Sequence, residues 1–243
     1  MSLARASPAW YGAYFEPLPE PGYPAPPVVC SASPELFLQL DADGAVTTRP
    51  IKGTRPDWVD PERLRDAEKD TAELNMIVDL LRNDLGRVCV YGSVRVAEPR
   101  GVETHPGVHH GVATVTGRLG AGRGLADLLR AAFPGGSVTG APKVRAMQII
   151  EELEPVRRGP YCGAMGLATS LGGATTARLN IAIRTLLVDP AAGRLRFSVG
   201  GGVVADSDPR EEYEETLHKA AALLRALEPA AAATQPDRCV TGR

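Results

Sequence analysis

Near the C-terminal end of the sequence, Glu212, Glu215 and Lys219 fall at i, i+3 and i+7 of a run with helical periodicity. At about 100° per residue they share one stripe of that helix. Tyr213, Leu217, Ala220 and Leu224 form a second stripe about a quarter turn away and are expected to be its buried face. The carboxylates then stand at the margin of that face. There they either hold a hard cation such as Mg²⁺ between protein and ligand or form a solvated acidic helix start favoured by the macrodipole. Glu73 shares a helical stripe with Ile77 and Leu80, and a carboxylate on an apolar stripe requires a positive partner. An arginine is one such partner; a metal shared with Glu212 or Glu215 is the other.

Lys52 lies in the loop-like stretch PIKGTRP. It is either a solvated lysine or, if the fold buries it, an amine nucleophile. Glu35, in SPELF just before the same predicted hairpin, can reach the same pocket as a general acid. The glycine-rich GGSVTGAPK stretch at 135–143 precedes a helix, where free N–H groups attract an anion. It is no Walker A loop, because Ala141 and Pro142 separate the glycine from Lys143, so a carboxylate or hydroxyl fits better than a triphosphate. Gly200, Gly201 and Gly202 offer bare main-chain N–H groups to a ligand carboxylate, or else form a bulge. A dinucleotide site is rejected there, because the next helix begins too late and no βαβ unit surrounds the glycines. His109 and His110, adjacent on a predicted strand, face opposite ways, which argues against a two-histidine metal site.

The elements that must position these groups are legible as periodicities. Residues 17–27 carry too many prolines for a helix or central strand. Leu36–Leu40 and Ala45–Thr48 flank a hairpin turn at Asp41–Gly44. One helix is predicted from Pro61 to Gly86, strands over Val88–Val96 and Val108–Leu119, and helices over Leu125–Ala132 and from Pro142 to about Leu153. Strands follow at 161–170, 180–188 and 194–199, then the helix from about Pro209 to Leu227. Beyond it lies a tail, 229–243, expected to be disordered. Hairpins outnumber strand–helix alternations, which predicts an α+β fold of mixed or antiparallel sheets flanked by helices rather than a doubly wound parallel sheet.

With 243 residues, 44% hydrophobic, the chain can bury a core without disulfides or metals. Its net charge of −2 excludes nonspecific nucleic-acid binding. Four widely spaced cysteines match no disulfide framework or zinc site and predict reduced thiols in the cytoplasm. No apolar run approaches membrane length, and no secretory leader is recognisable.

Taken together, PIKGTRP, ELNMIVDLLRNDLGRV, HHGVATVTGRL, FPGGSVTGAPKVRAMQIIEELEP, YCGAMG, NIAIRT and SVGGGVVADSDPREEYEETLHKA, in this order from about Pro8 to Leu227, resemble the chorismate-utilising enzymes. The resemblance implies an anthranilate synthase component I-like chorismate-binding fold, with 1–27 as lead-in and 28–228 as the catalytic domain. Lysine in PIKGT, where anthranilate-forming members carry alanine, points to the aminodeoxychorismate synthase component I branch, which serves p-aminobenzoate and folate synthesis. By that resemblance Lys52 attacks C2 of chorismate, Glu35 protonates the departing C4 hydroxyl, and Glu73, Glu212 and Glu215 hold Mg²⁺. Tyr161 and Arg184 would grip the enolpyruvyl carboxylate, while His110, Thr139, Gly200, Gly201, Gly202 and Lys219 line the pocket. Ammonia would come from a glutamine amidotransferase partner. Anthranilate formation, or chorismate binding without turnover, are the alternatives. Family members are commonly longer, so the chain corresponds to their C-terminal catalytic region, and exposed sheet edges are expected.

Overall fold

The computed structural model describes residues 9–65, 67–105 and 107–227. The expected tail at 229–243 and the first residues of the lead-in lie outside them. Two antiparallel sheets carry the fold. The smaller has strands β1 (Ala13–Phe15), β2 (Val28–Ser31), β10 (Thr185–Asp189) and β11 (Arg194–Phe197) in that order. The larger is built from β3 (Leu36–Leu40), β4 (Ala45–Arg49), β5 (Ile51–Pro56), β6 (Arg95–His105), β7 (Val108–Arg118), β8 (Ala164–Leu171) and β9 (Ala174–Ile181). β4 and β5 pair one after the other along one edge of β7, with Pro50 between them, and β6 takes its other edge. β3 then joins β4 to β9, and β8 closes the far side.

The hairpin turn forms as its residues dictate. The Gly44 N–H donates to the Asp41 carbonyl at 2.9 Å and the Asp43 carboxylate accepts from the Ala45 N–H at 3.0 Å. The two sheets meet where β2 runs into β3 and β9 into β10. At that corner the buried Asn180 side chain donates to Tyr11 O at 2.6 Å and to Ser31 Oγ at 3.3 Å, and Thr185 Oγ1 donates to Ser31 Oγ at 2.9 Å. A buried polar cluster is tolerable only when its members find partners, as here.

The helices are α1 (Glu62–Arg65), α2 (Glu68–Gly86), α3 (Leu125–Ala132), α4 (Lys143–Leu153) and α5 (Pro209–Leu227). The core lies between the large sheet and α2 and α3. Phe37, Leu40, Val46, Ala113 and Val115 of the sheet meet Leu74, Val78 and Leu85 of α2 and Leu128 of α3. Leu74, Leu85 and Leu128 are wholly enclosed, so truncating any of them to alanine should cost about 2–5 kcal/mol.

Three expectations are corrected. The single helix from Pro61 is two, α1 and α2, because the backbone at Ala67 is extended (φ −73°, ψ 97°). The strand expected at Val88–Val96 is mostly turn, with one bridge from Cys89 to Leu119, and regular pairing starts at Arg95. Ser93 supplies the reason: its hydroxyl donates to Val90 O at 2.7 Å and accepts from the Arg118 N–H at 3.2 Å, a local side-chain bond that competes with the ladder. The third concerns α5. Tyr213, Leu217 and Leu224 are exposed, and the enclosed face instead carries Glu212, Thr216 and Leu223. The helix is rolled so that the face running through Glu212, Thr216, Ala220 and Leu223, between the acidic and apolar stripes, turns toward the protein.

Candidate active site

Opposite Val112 and His110 of β7, the β5 strand places Ile51 and Thr54, so β5 carries one extra residue between these pairs. This is a bulge at Lys52–Gly53. Gly53 has φ +84°, and a Cβ there would stand 2.7 Å from Leu64 Cδ1 and 2.8 Å from Asp70 Oδ2, so the position requires glycine. The bulge aims Lys52 at α2, where Nζ meets Glu73 Oε2 at 3.1 Å with only 17% and 13% of the two side chains exposed. Glu73 thus has its positive partner, and that partner is Lys52 rather than an arginine.

Glu35 is 5% exposed. Burial pushes its carboxyl up to about 7, against the opposing pull of the Ser137 hydroxyl, the Lys52 charge and the Ile51 N–H. A carboxyl poised there can hold a proton at neutral pH and give it up. Its backbone is fixed by the Ser33 hydroxyl, which accepts from the Glu35 N–H at 3.2 Å, and by the Ile181 N–H, which donates to the Glu35 carbonyl at 3.1 Å.

The glycine segment before α5 crosses the open side of this pair. A Cβ on Gly202 would lie 2.7 Å from Lys52 Nζ and 3.5 Å from Glu73 Oε2, one on Gly201 3.0 Å from Glu212 Oε2, and one on Gly200 3.2 Å from the Tyr161 hydroxyl. Side chains here would fill the space in front of the amine and the acids. α5 starts with Pro209, and the Asp208 carboxylate accepts from the N–H groups of Arg210 (2.9 Å) and Glu211 (3.0 Å). That cap fixes Glu212 facing inward. Its Oε1 accepts from Ser207 Oγ at 2.6 Å and from Lys69 Nζ at 3.2 Å, while Oε2 is buried with no partner. These contacts, the Ser207 hydroxyl foremost, hold the Glu212 carboxyl below its ordinary range. Lys219 pairs with Glu215 at 2.5 Å and donates to Gly200 O at 3.0 Å. Glu215 is about half exposed and paired to that lysine. Among the described residues, no three His, Cys, Asp or Glu side chains stand close enough together to hold an ion. Glu73 and Glu212 nonetheless fit a hard cation: both flank the glycine segment, and although Lys69 pairs with one Glu212 oxygen, the other is buried with no donor.

On the β7 side, His110 sits opposite Thr54 and its Nδ1 is 2.9 Å from the Thr54 hydroxyl. His110 is almost wholly enclosed, and burial, with the charge of Arg184 next, lowers it to about 3, which leaves a neutral ring whose Nε2 has no partner. His109 turns away, between Thr104 (2.9 Å) and the Asp57 carbonyl (3.1 Å). Arg184, in left-handed backbone (φ 50°) between β9 and β10, makes no ion pair among the described residues, and desolvation lowers its pKa. An unpaired guanidinium of this kind is a ready carboxylate receptor. Burial pushes the Tyr161 hydroxyl well above its usual range, so it is a donor at neutral pH.

The 135–143 loop is held largely by its own contacts. Gly135 and Gly136 are packed against Ile181 and Leu80, Thr139 donates to the Gly135 carbonyl at 2.9 Å, and Lys143 is consumed by Asp84 at 2.6 Å. The loop is a packed turn that delivers Ser137 to Glu35. Ser137, Ser207, Lys69 and Thr54 were not singled out in the sequence. Each is a common surface residue type, and only the tertiary fold brings it to the site.

The chain matches the model of the chorismate binding enzyme family over residues 1–225. It is 54% identical over 207 residues to aminodeoxychorismate synthase component 1 of Klebsiella aerogenes, covering 82% of this chain and 45% of that one. It is 48% identical over 236 residues to anthranilate synthase component 1 1 of Haloarcula marismortui, covering 94% and 46%. The crystal structure of anthranilate synthase component I from Streptococcus pneumoniae superposes with a TM-score of 0.76 at 37% identity, covering 91% of this chain and 47% of that one. The chain spans about half the length of the curated relatives it matches. With its α+β sheets, its lysine–glutamate pair behind a glycine segment and these matches, the chain belongs to the chorismate binding enzyme family.

Proposed function

We propose that this chain aminates chorismate at C4, giving 4-amino-4-deoxychorismate. The observation that carries the reading is the placement of Lys52, aimed by the β5 bulge at Glu73 beneath the glycine segment and within the electrostatic reach of a buried Glu35 poised near 7. The Lys52 amine, once it has given the proton of its ion pair with Glu73 to solvent, adds to C2 of chorismate. Both ring double bonds shift, C1=C2 to C1=C6 and C5=C6 to C4=C5, the C4–O bond breaks, and Glu35 gives its proton to the departing oxygen so that water leaves. Ammonia then adds at C4, both double bonds shift back, and the C2–N bond to Lys52 breaks. Excess protons pass to Glu35 and solvent. Arg184 and the Tyr161 hydroxyl orient the enolpyruvyl carboxylate, and His110, Thr139 and Lys219 border the pocket.

Glu73 and Glu212, joined by Glu215 once it leaves Lys219, would hold Mg²⁺, which when bound supplies positive charge for the ring carboxylate. The relatives named component 1 imply a second component, and for this chain a glutamine amidotransferase supplying ammonia is the proposed partner. p-Aminobenzoate and folate synthesis would consume the product. No described helix is long and apolar enough to cross a membrane, in keeping with the cytoplasm as the proposed place of action.

The test is incubation with chorismate, Mg²⁺ and an ammonium salt, followed by mass spectrometry of the products, for the wild type and Lys52→Ala. Aminodeoxychorismate from the wild type, and its loss in the variant, is expected. Anthranilate from the wild type would assign the chain to the reaction of its Haloarcula relative. Binding without any product would reduce it to a chorismate-binding module.

A further inference from the structure

Each of the three glutamates assigned to the divalent ion is held by a different lysine: Glu73 by Lys52 at 3.1 Å, Glu212 by Lys69 at 3.2 Å and Glu215 by Lys219 at 2.5 Å. Two of these lysines have other work. Lys52 is the proposed nucleophile, and Lys219 also binds the Gly200 carbonyl. Lys69 has no other partner among the described residues.

Its geometry is informative. Lys69 and Glu73 lie four residues apart on α2, on the same face, where a lysine ordinarily pairs with its own helix neighbour. Glu73 is already taken by Lys52 from β5, so Lys69 reaches across to Glu212 on α5 instead. The carboxylate it meets is 12% exposed while Lys69 itself is 52% exposed. One Glu212 oxygen carries both Lys69 and Ser207, and the other is buried without a partner.

We infer that Lys69 is a resident counter-cation of the ion site: its ammonium pairs with Glu212 Oε1 and ties α2 to α5, and a divalent ion taking the free Oε2 binds in competition with that charge. Lys69 is therefore a positioning residue that sets the affinity of the site. The inference rests on the reading of Glu73 and Glu212 as ion ligands. Removing Lys69 abolishes a competing ion pair and a repulsive charge beside the incoming cation, so affinity should rise about tenfold at physiological salt.

The test uses Mn²⁺ alone, titrated into the intact chain and read from the electron paramagnetic resonance signal of the free ion. Lys69→Met and Lys69→Gln should each bind Mn²⁺ about tenfold more tightly than the wild type, and Lys69→Arg, which keeps the charge, should restore the weaker binding. Arg82→Met removes the same charge from the same helix, roughly 20 Å along its axis, and should bind as the wild type does. In a Glu212→Gln background, Lys69→Met should give no tightening. Unchanged or weaker binding in both Lys69 variants, with a wild type that does bind Mn²⁺, overturns the inference and leaves the ion ligands standing. A wild type that takes up no Mn²⁺ overturns the inference and the ion reading together.

Discussion

Gly202 passes so close to Lys52 that a Cβ on the glycine would stand 2.7 Å from the lysine Nζ. The contact is with the far end of a flexible side chain, so alanine here displaces the amine and not the backbone. Gly202→Ala should unfold in urea within about 0.5 kcal/mol of the wild type. Chorismate turnover should nevertheless fall roughly a hundredfold, the usual cost of misplacing a reacting group by about an ångström. Unfolding curves and product mass spectrometry on the same preparation check both halves. Undiminished turnover would mean that the amine does not react from this position.

Glu35 gives the site a pH signature. Its carboxyl titrates at about 7 in the folded protein against an ordinary value of 4.5, so the folded state binds the extra proton between these two values. Stability is therefore undiminished below about 4.5, falls as pH rises through the interval, and carries the full penalty above 7. The penalty is at most roughly 3 kcal/mol. Glu35→Gln should remove it: relative to the wild type the variant should be more stable at pH 8 than at pH 4.5, by denaturant unfolding at both. Amination, which needs the proton, should decline in the wild type as pH rises through about 7. A variant equally displaced from wild type at both pH values would show that Glu35 is not held protonated.

Much of this architecture can be read from residue types alone, and the limits of that reading have physical causes. Asp41–Gly44 makes its turn with its own side chains, Leu125–Ala132 is bounded by Gly124 and Pro134, and Asp208–Pro209 opens α5, so local chemistry suffices for these boundaries. Glu73 could be nominated because an acid on an apolar stripe requires a positive partner, whereas Lys52, Glu212 and Glu215 stood apart from solvated surface residues through the family motifs that hold them. Which lysine meets which glutamate could not, since Lys52–Glu73 and Lys69–Glu212 join residues brought together only by sheet register and helix docking. The bulge at Lys52–Gly53 likewise depends on where β7 pairs, which no local periodicity encodes.

Asp84 of α2 and Lys143 of α4 form an ion pair of 2.6 Å with 4% and 14% of their side chains exposed, and Lys143 also donates to Ala132 O at 2.8 Å. Breaking one side of such a pair strands a charge in a poorly solvated place, which costs about 3–5 kcal/mol. Asp84→Ala and Lys143→Met should each lower stability by an amount of that order in urea. The double variant Asp84→Leu/Lys143→Met should cost less than the sum of the two, because neither charge remains. Full additivity would show that the pair is not the source of the effect.

The roll of α5 separates two leucines that the sequence makes look alike. Leu217 lies on the stripe with Tyr213 and Leu224 and is 50% exposed, whereas Leu223 is 1% exposed beneath the same helix. Area removed from water, not membership of an apolar stripe, sets the cost of truncation. Leu223→Ala should therefore destabilise by about 2–4 kcal/mol, and Leu217→Ala by less than about 0.5 kcal/mol. Thermal unfolding of the two variants distinguishes this helix orientation from the opposite one, in which Leu217 would be the costly position. The same roll explains how Glu212 reaches the site: with Leu223 as anchor, Glu212 and Thr216 turn inward toward α2, which an anchored Leu217 stripe would carry away from Lys69 and the glycine segment.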